Sequence, residues 1–258
     1  ILRQTRKYFR YQSGKGIQTS LAINFNPPII FESLSSTGTT ATGRTTYPHR
    51  LENNQPIKVK DSSDSVFNGS FNITVVDDFT FTYTLPQTPT SSIPSGIIKY
   101  NLNGYSGSAI RSGMFDFQNG FFFEYDGSTV NCVRRSSTTQ LSGQASIANR
   151  NNEVNGTNTN FSGQLTAGDY IVIRGQTHRV TSIVSRTKMY VQPEYRGVSA
   201  SDIIITKTED VKIPQVDWNI DKCDGLGPEG FLLDVDKIQM AYMDYSWYGA
   251  GKIRFGFK

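Results

Sequence analysis

Residues able to do chemistry are few in this chain, and their spacing argues against a reaction centre. Asp217, Asn219 and Asp221 put three oxygen ligands at alternate positions, as a calcium loop begins. Lys222 then stands where such a loop needs glycine, and Pro228 where it needs its bidentate glutamate. Glu124 with Asp126, and Asp234 with Asp236, pose as the carboxylate pair of a glycosidase. Two residues apart on a strand they share a face but sit closer than two separate roles require. His49, beside Pro48 in a turn, and His178, in a strand, fall in different segments with no GxSxG, HExxH or Cys/His spacing around them. Ser13-Gly14-Lys15-Gly16 lacks both the first glycine of a phosphate loop and the hydroxyl residue after its lysine. Cys132 and Cys223 lie far apart outside any CxxC pattern, so two free thiols are expected and zinc is unsupported. Asn68, Asn72, Asn155 and Asn160 each open an N-x-[ST] sequon, as chance provides in a chain so rich in Asn, Ser and Thr. The expectation is no enzyme, no cofactor and no metal.

The elements that must carry any function are strands. Of 258 residues 36% are hydrophobic, which is low for a compact enzyme, while 12% are aromatic and 23 are glycine, a composition of short strands and turns. A net charge of +4 with 19% charged residues makes the surface mildly basic, too weakly to demand nucleic acid. No apolar run approaches the roughly 20 residues needed to cross a bilayer, so no membrane partner is expected. The first residue is Ile rather than Met, and the expectation is a processed product or a piece of a longer polypeptide.

The last stretch, KIQMAYMDYSWYGAGKIRFGFK, organises the rest. Apolar residues alternate from Ile238 to Tyr242, Asp244 and Ser246 break the run, Tyr248-Gly249-Ala250-Gly251 turns, and Ile253, Phe255 and Phe257 alternate again, giving a hairpin or bent strand pair. Upstream, Ile17–Phe25 alternates and Ser33–Thr46 has a linker composition. Pro56–Lys60, Phe71–Val75 and Phe79–Leu85 are strands around Asn68-Gly69 and Asp77-Asp78 turns. Asn119-Gly120 and Asp126-Gly127 turn a hairpin that leads into the strand Thr129–Arg135. Gly168–Ile173, Thr177–Val184 and Met189–Gln192 repeat the strand-turn-strand-turn-strand order of the earlier unit, and no segment has a helix period. We therefore expect an all-β fold. A jelly-roll-like framework β-sandwich (residues 1–44, 86–144 and 208–258) would be interrupted by two small inserted β modules, residues 45–85 and 145–207.

The blocks RKYFRYQSGKGIQ, GMFDFQNGFFFEYDG, VRRSSTTQLSG, IPQVDWNIDKCDGLGPEGF and YSWYGAGKIRFGF cover the framework. In this order they resemble a virion structural protein of marine contractile-tailed phages, the cyanophage-like myoviruses. VFNGSFNITVVDDFTFTYT and LTAGDYIVIRGQTHRVTSI resemble small β-modules of phage tail and fibre proteins. The resemblance implies a non-enzymatic assembly component of the virion, in tail, baseplate, fibre or capsid, and brings no catalytic residues with it. Partners would be copies of itself in a homo-oligomer and other virion proteins. Arg3, Arg6, Lys7, Arg10, Arg134 and Arg135 are candidates for polar contacts with neighbours, and Trp247 with Tyr248 for an apolar one. Arg134→Glu with Arg135→Glu is expected to weaken assembly without unfolding the chain. The basic, aromatic N-terminal segment could also line a nucleic-acid groove, but a basic arm tying onto a protein neighbour is favoured. The rival reading is a host-glycan-binding module in which Trp218, Trp247 and Tyr248 stack on sugars.

Overall fold

Thr80-Phe81-Thr82-Tyr83-Thr84 shows in five residues how this chain makes sheet: Phe81 and Tyr83 point into the core while the β-branched threonines occupy the other face. The computed structural model describes residues 4–5, 16–105, 107–246 and 251–258. Strand makes up 52% and helix 4%, so the protein is all-β, built of antiparallel sheets consistent with a sandwich. Two compact units form, one from Ile1–Arg111, Glu124–Val130 and Gln215–Lys258, the other from Ser112–Phe123 and Asn131–Pro214. No helix among the described residues is long and apolar enough to cross a membrane.

In chain order the first strands are β1 (Gly16–Ile23), β2 (Ile29–Ile30), β3 (Ser33–Thr37), β4 (Thr40–Arg44), β5 (Pro56–Lys60), β6 (Gly69–Val75), β7 (Thr80–Thr84) and β8 (Lys99–Leu102). There follow β9 (Ile110–Phe115), β10 (Gly120–Tyr125), β11 (Val130–Gln140), β12 (Gln144–Ile147), β13 (Asn151–Thr157) and the single helical turn α1 (Phe161–Gln164). The series ends with β14 (Tyr170–Ile173), β15 (Gln176–Ser185), β16 (Lys188–Tyr195), β17 (Ala200–Ile203), β18 (Thr206–Pro214), β19 (Gln239–Ser246) and β20 (Ile253–Phe257).

The first unit holds a seven-stranded sheet, β2-β8-β5-β6-β7-β4-β3, and a three-stranded one, β1-β19-β20. Its larger core sets a cluster of aromatic rings among aliphatic side chains: Phe31 lies 4.9 Å from Tyr100 and 5.8 Å from Phe81 between ring centres, with Phe67 and Tyr83 buried nearby. The Ser/Thr/Gly run expected as a linker is instead the β3–β4 hairpin, and β4 pairs with β7 from Thr40↔Thr84 to Arg44↔Thr80. Composition hid the alternation because the inward residues there are small. Leu34, Ala41 and Gly43 face the core, and the Phe31 ring lies so close over Gly43 that a side chain would collide with it. In the smaller sheet β19 runs on through Asp244 and Ser246, where the sequence suggested a break, because Asp244 pairs across the sheet with Arg254 at 2.8 Å.

The second unit carries most of the ten-stranded sheet β17-β12-β13-β16-β15-β14-β18-β11-β10-β9. The three strands expected after residue 168 form as β14, β15 and β16, with Arg174 and Gly175 both at positive φ in the tight turn between the first two. The Asn-rich stretch before them, which offers no apolar alternation, still forms β12 and β13, with Ala145, Ile147 and Val154 turned inward. The core is aliphatic: Ile171, Ile173, Val180, Met189 and Val191 pack with Phe161.

Candidate assembly surface

The two histidines and the two carboxylate pairs singled out by their type turn out to be occupied with holding the fold. The His49 ring accepts the Leu51 N–H at Nδ1, so Nε2 carries the hydrogen and donates to the Asp77 carbonyl at 2.8 Å. His178 is buried and donates from Nδ1 to the Pro193 carbonyl at 2.7 Å, and burial keeps its pKa below the ordinary histidine value. Glu124 is fully buried and receives the Arg111 Nε–H at 2.6 Å, while Asp126 caps a turn by accepting the Ser128 and Thr129 N–H groups. Asp234 accepts the Asp236 N–H and pairs with Lys237 at 3.0 Å, an ammonium that lowers its pKa from the usual carboxylate value. Asp236 takes the Lys60 ammonium and the Asn26 amide. No group of three or more His, Cys, Asp or Glu side chains gathers among the described residues.

The sequence candidates fare unequally. Arg3, Arg6, Lys7, Arg10, Trp247 and Tyr248 lie outside the described residues. Arg134 is exposed on β11 opposite Val211, whose side chain is also exposed. Arg135 must be corrected. Its guanidinium is buried, forks onto both oxygens of Asp210 at 2.8 Å, donates to the Asp116 carbonyl at 3.0 Å and lies over the Phe122 ring. Alternation explains the difference: successive residues of β11 face opposite ways, so one arginine of the pair turns inward. Reversing both charges would therefore damage the fold of the second unit. Trp218, offered for sugar stacking, already stacks on Phe257.

What the first unit does present is a loop, residues 215–238, whose backbone is tied down and whose apolar tips are not. Gln215 Nε2 donates to the Lys222 and Cys223 carbonyls, and Asp221 Oδ1 accepts the Cys223 N–H. Gly225 and Leu233 donate to the Phe231 and Cys223 carbonyls. Phe231 and Trp218 both stack on Phe257, which meets Phe25 edge-on, so the loop is pinned to β20 by rings. At the far end Asn26 donates to the Leu102 carbonyl and to Asp236, fastening the loop to β8. From this frame Ile220 and Leu226 stand 88% and 89% exposed, with Val216, Leu232 and Ile238 also open to solvent. Burial, helped by the Asp221 and Asp224 charges, pushes the Cys223 thiol up to about 11, so it stays protonated at neutral pH.

These exposed residues were not among the candidates that the sequence offered. The signal was there: Ile220 and Leu226 are isolated apolar residues between Asp, Gly and Pro, with no strand alternation to draw them inward. Fold and surface together define a class, an all-β chain with a fixed apolar loop. No protein-family model, curated protein or solved structure matches the chain.

Proposed function

We propose that this chain is a non-enzymatic structural component of a phage virion, in tail, baseplate, fibre or capsid, acting by packing against copies of itself and other virion proteins. One observation carries the reading: Ile220 and Leu226 are held almost fully exposed on a loop braced by ring stacking and backbone hydrogen bonds. Solvating such side chains forgoes roughly 1.5 to 3 kcal/mol each, which burial against a partner recovers. Because the frame is already ordered, little conformational entropy is lost on docking. In a symmetric assembly one such contact recurs at every copy. The virion setting is what the resemblance of the framework blocks implies.

Sedimentation velocity over a concentration series tests the packing. The chain should self-associate, and Leu226→Asp with Ile220→Asp should return it to monomer without altering its circular dichroism. A wild-type chain that stays monomeric throughout and binds no other virion protein would overturn the reading.

A further inference from the structure

The second unit carries a separate groove of 440 Å³ that the assembly reading does not use, bounded by β12, β13 and the Ser199–Ser201 segment. That volume lies within the range of about 300–1,000 Å³ usual for small-ligand sites. Asn151, Glu153 and Asn155 occupy alternate positions of β13 and so share its outer face. Cross-strand pairing sets Ser146 opposite Asn155 on one side, and Tyr190 opposite Glu153 and Lys188 opposite Asn155 on the other. The side chains are already organised. Asn155 Nδ2 donates to Glu153 Oε1 at 3.0 Å, while the Tyr190 hydroxyl and the Lys188 ammonium meet Glu153 Oε2 at 3.2 and 3.0 Å.

We infer that this groove binds a neutral saccharide. Its chemistry selects the class in three ways. Lys188 cancels the charge of Glu153, so nothing here favours a polyanion or a polycation. What remains is amide and hydroxyl, groups that both donate and accept and so match the paired hydroxyls of a sugar ring. Ala148 and Ala200 add short apolar patches suited to the C–H face of such a ring. The backbone is irregular at this same place. The register of β13 against β16 shifts between Asn151 and Glu153, that of β12 against β17 between Ala145 and Ile147, and Arg150 and Asp202 adopt positive φ. Bulges of this kind re-aim side chains next to binding sites, and strained non-glycine residues cluster there. The inference moves sugar recognition away from Trp218 and stands apart from the assembly surface, which lies in the other unit.

Saturation-transfer NMR on the intact chain tests it, with maltose, lactose, di-N-acetylchitobiose and 3′-sialyllactose as probes and a glycan array to widen the panel. We expect a saturable signal from at least one neutral probe, weakened about tenfold or more by Asn155→Ala, since about 1.4 kcal/mol corresponds to tenfold. Asn155→Asp, nearly identical in shape, should lose binding as well while keeping the wild-type dichroism. Leu226→Asp should leave binding unchanged, which separates this site from self-association. Silence across probes and array, binding of the acidic probe alone, binding of peptides but no sugar, or a neutral signal indifferent to both Asn155 variants would each overturn the assignment.

Discussion

The two larger cores solve the same packing problem with different residues. In the first unit, rings of Phe31, Phe81 and Tyr100 meet at 4.9 to 5.8 Å and fill the space behind a sheet whose outward residues are mostly Ser and Thr. In the second, aliphatic side chains fill most of the interior, and the buried polar residues include His178 and Arg135, which forks onto Asp210. Few large rings tolerate small neighbours such as Ala41 and Gly43, because one ring spans what two aliphatic residues would. An aliphatic core leaves less to any single residue, so a charged fork can carry a comparable share of the stability.

The largest effects should come from removing one member of either device. Phe81→Ala is expected to cost about 3–5 kcal/mol, and hydrogen exchange resolved along the chain should show the loss in β4, β7 and β8. A loss confined to β7 would mean that the rings do not act together. Arg135→Ala should cost a similar amount, about 3–5 kcal/mol, because it strands the Asp210 carboxylate at a largely buried site. The double change Arg135→Met with Asp210→Leu is expected to recover most of that in denaturant melts. Failure to recover would show that the contact with the Asp116 carbonyl matters more than the ion pair. Ile171→Val, one methylene from the aliphatic core, should cost only about 0.5–1.5 kcal/mol.

His178 gives the second core a pH dependence. Burial depresses its folded-state pKa, with the Pro193 carbonyl opposing in part, while the unfolded chain titrates near the usual value of about 6.5. Between the two values the unfolded state holds more protons, so stability falls as pH drops through that window and is fully present above it. The slope from this one group cannot exceed about 1.4 kcal/mol per pH unit. His178→Leu should flatten the urea midpoint between pH 5 and 6.5 relative to wild type, and parallel curves would mean the ring charges without cost.

Much of this was legible in advance wherever apolar residues alternate. The strands of β5, β6, β7, β14, β15, β16, β19 and β20 announce themselves by period and by Asp or Gly at the turns. β3, β4, β12 and β13 do not, because their inward positions hold Leu34, Ala41, Gly43 or Ala145 among Ser, Thr and Asn, and such strands are specified by what packs on them. The same limit applies to the sites. That Arg134 faces out and Arg135 in follows from a register that β18 imposes, and the groove around Glu153 is assembled from residues of three strands.

The smallest predicted effect discriminates most finely between the cores. The Tyr100 and Tyr83 hydroxyls are buried with no hydrogen-bond partner among the described residues, and burial alone pushes the Tyr100 phenol up to about 12. A buried hydroxyl with no partner gives up its hydration in folding and receives nothing for it, a cost of about 1–3 kcal/mol. Tyr100→Phe keeps the ring, its contacts with Phe31 and Phe81, and its rotamer. It should therefore be neutral or stabilise by up to about 1 kcal/mol in denaturant melts, whereas the imidazole of the other core, with one firm bond to Pro193, should tolerate no such exchange. A clear destabilisation by Tyr100→Phe would show the hydroxyl bonded in solution, and the aromatic core would then owe part of its stability to polar contacts, as the aliphatic core does.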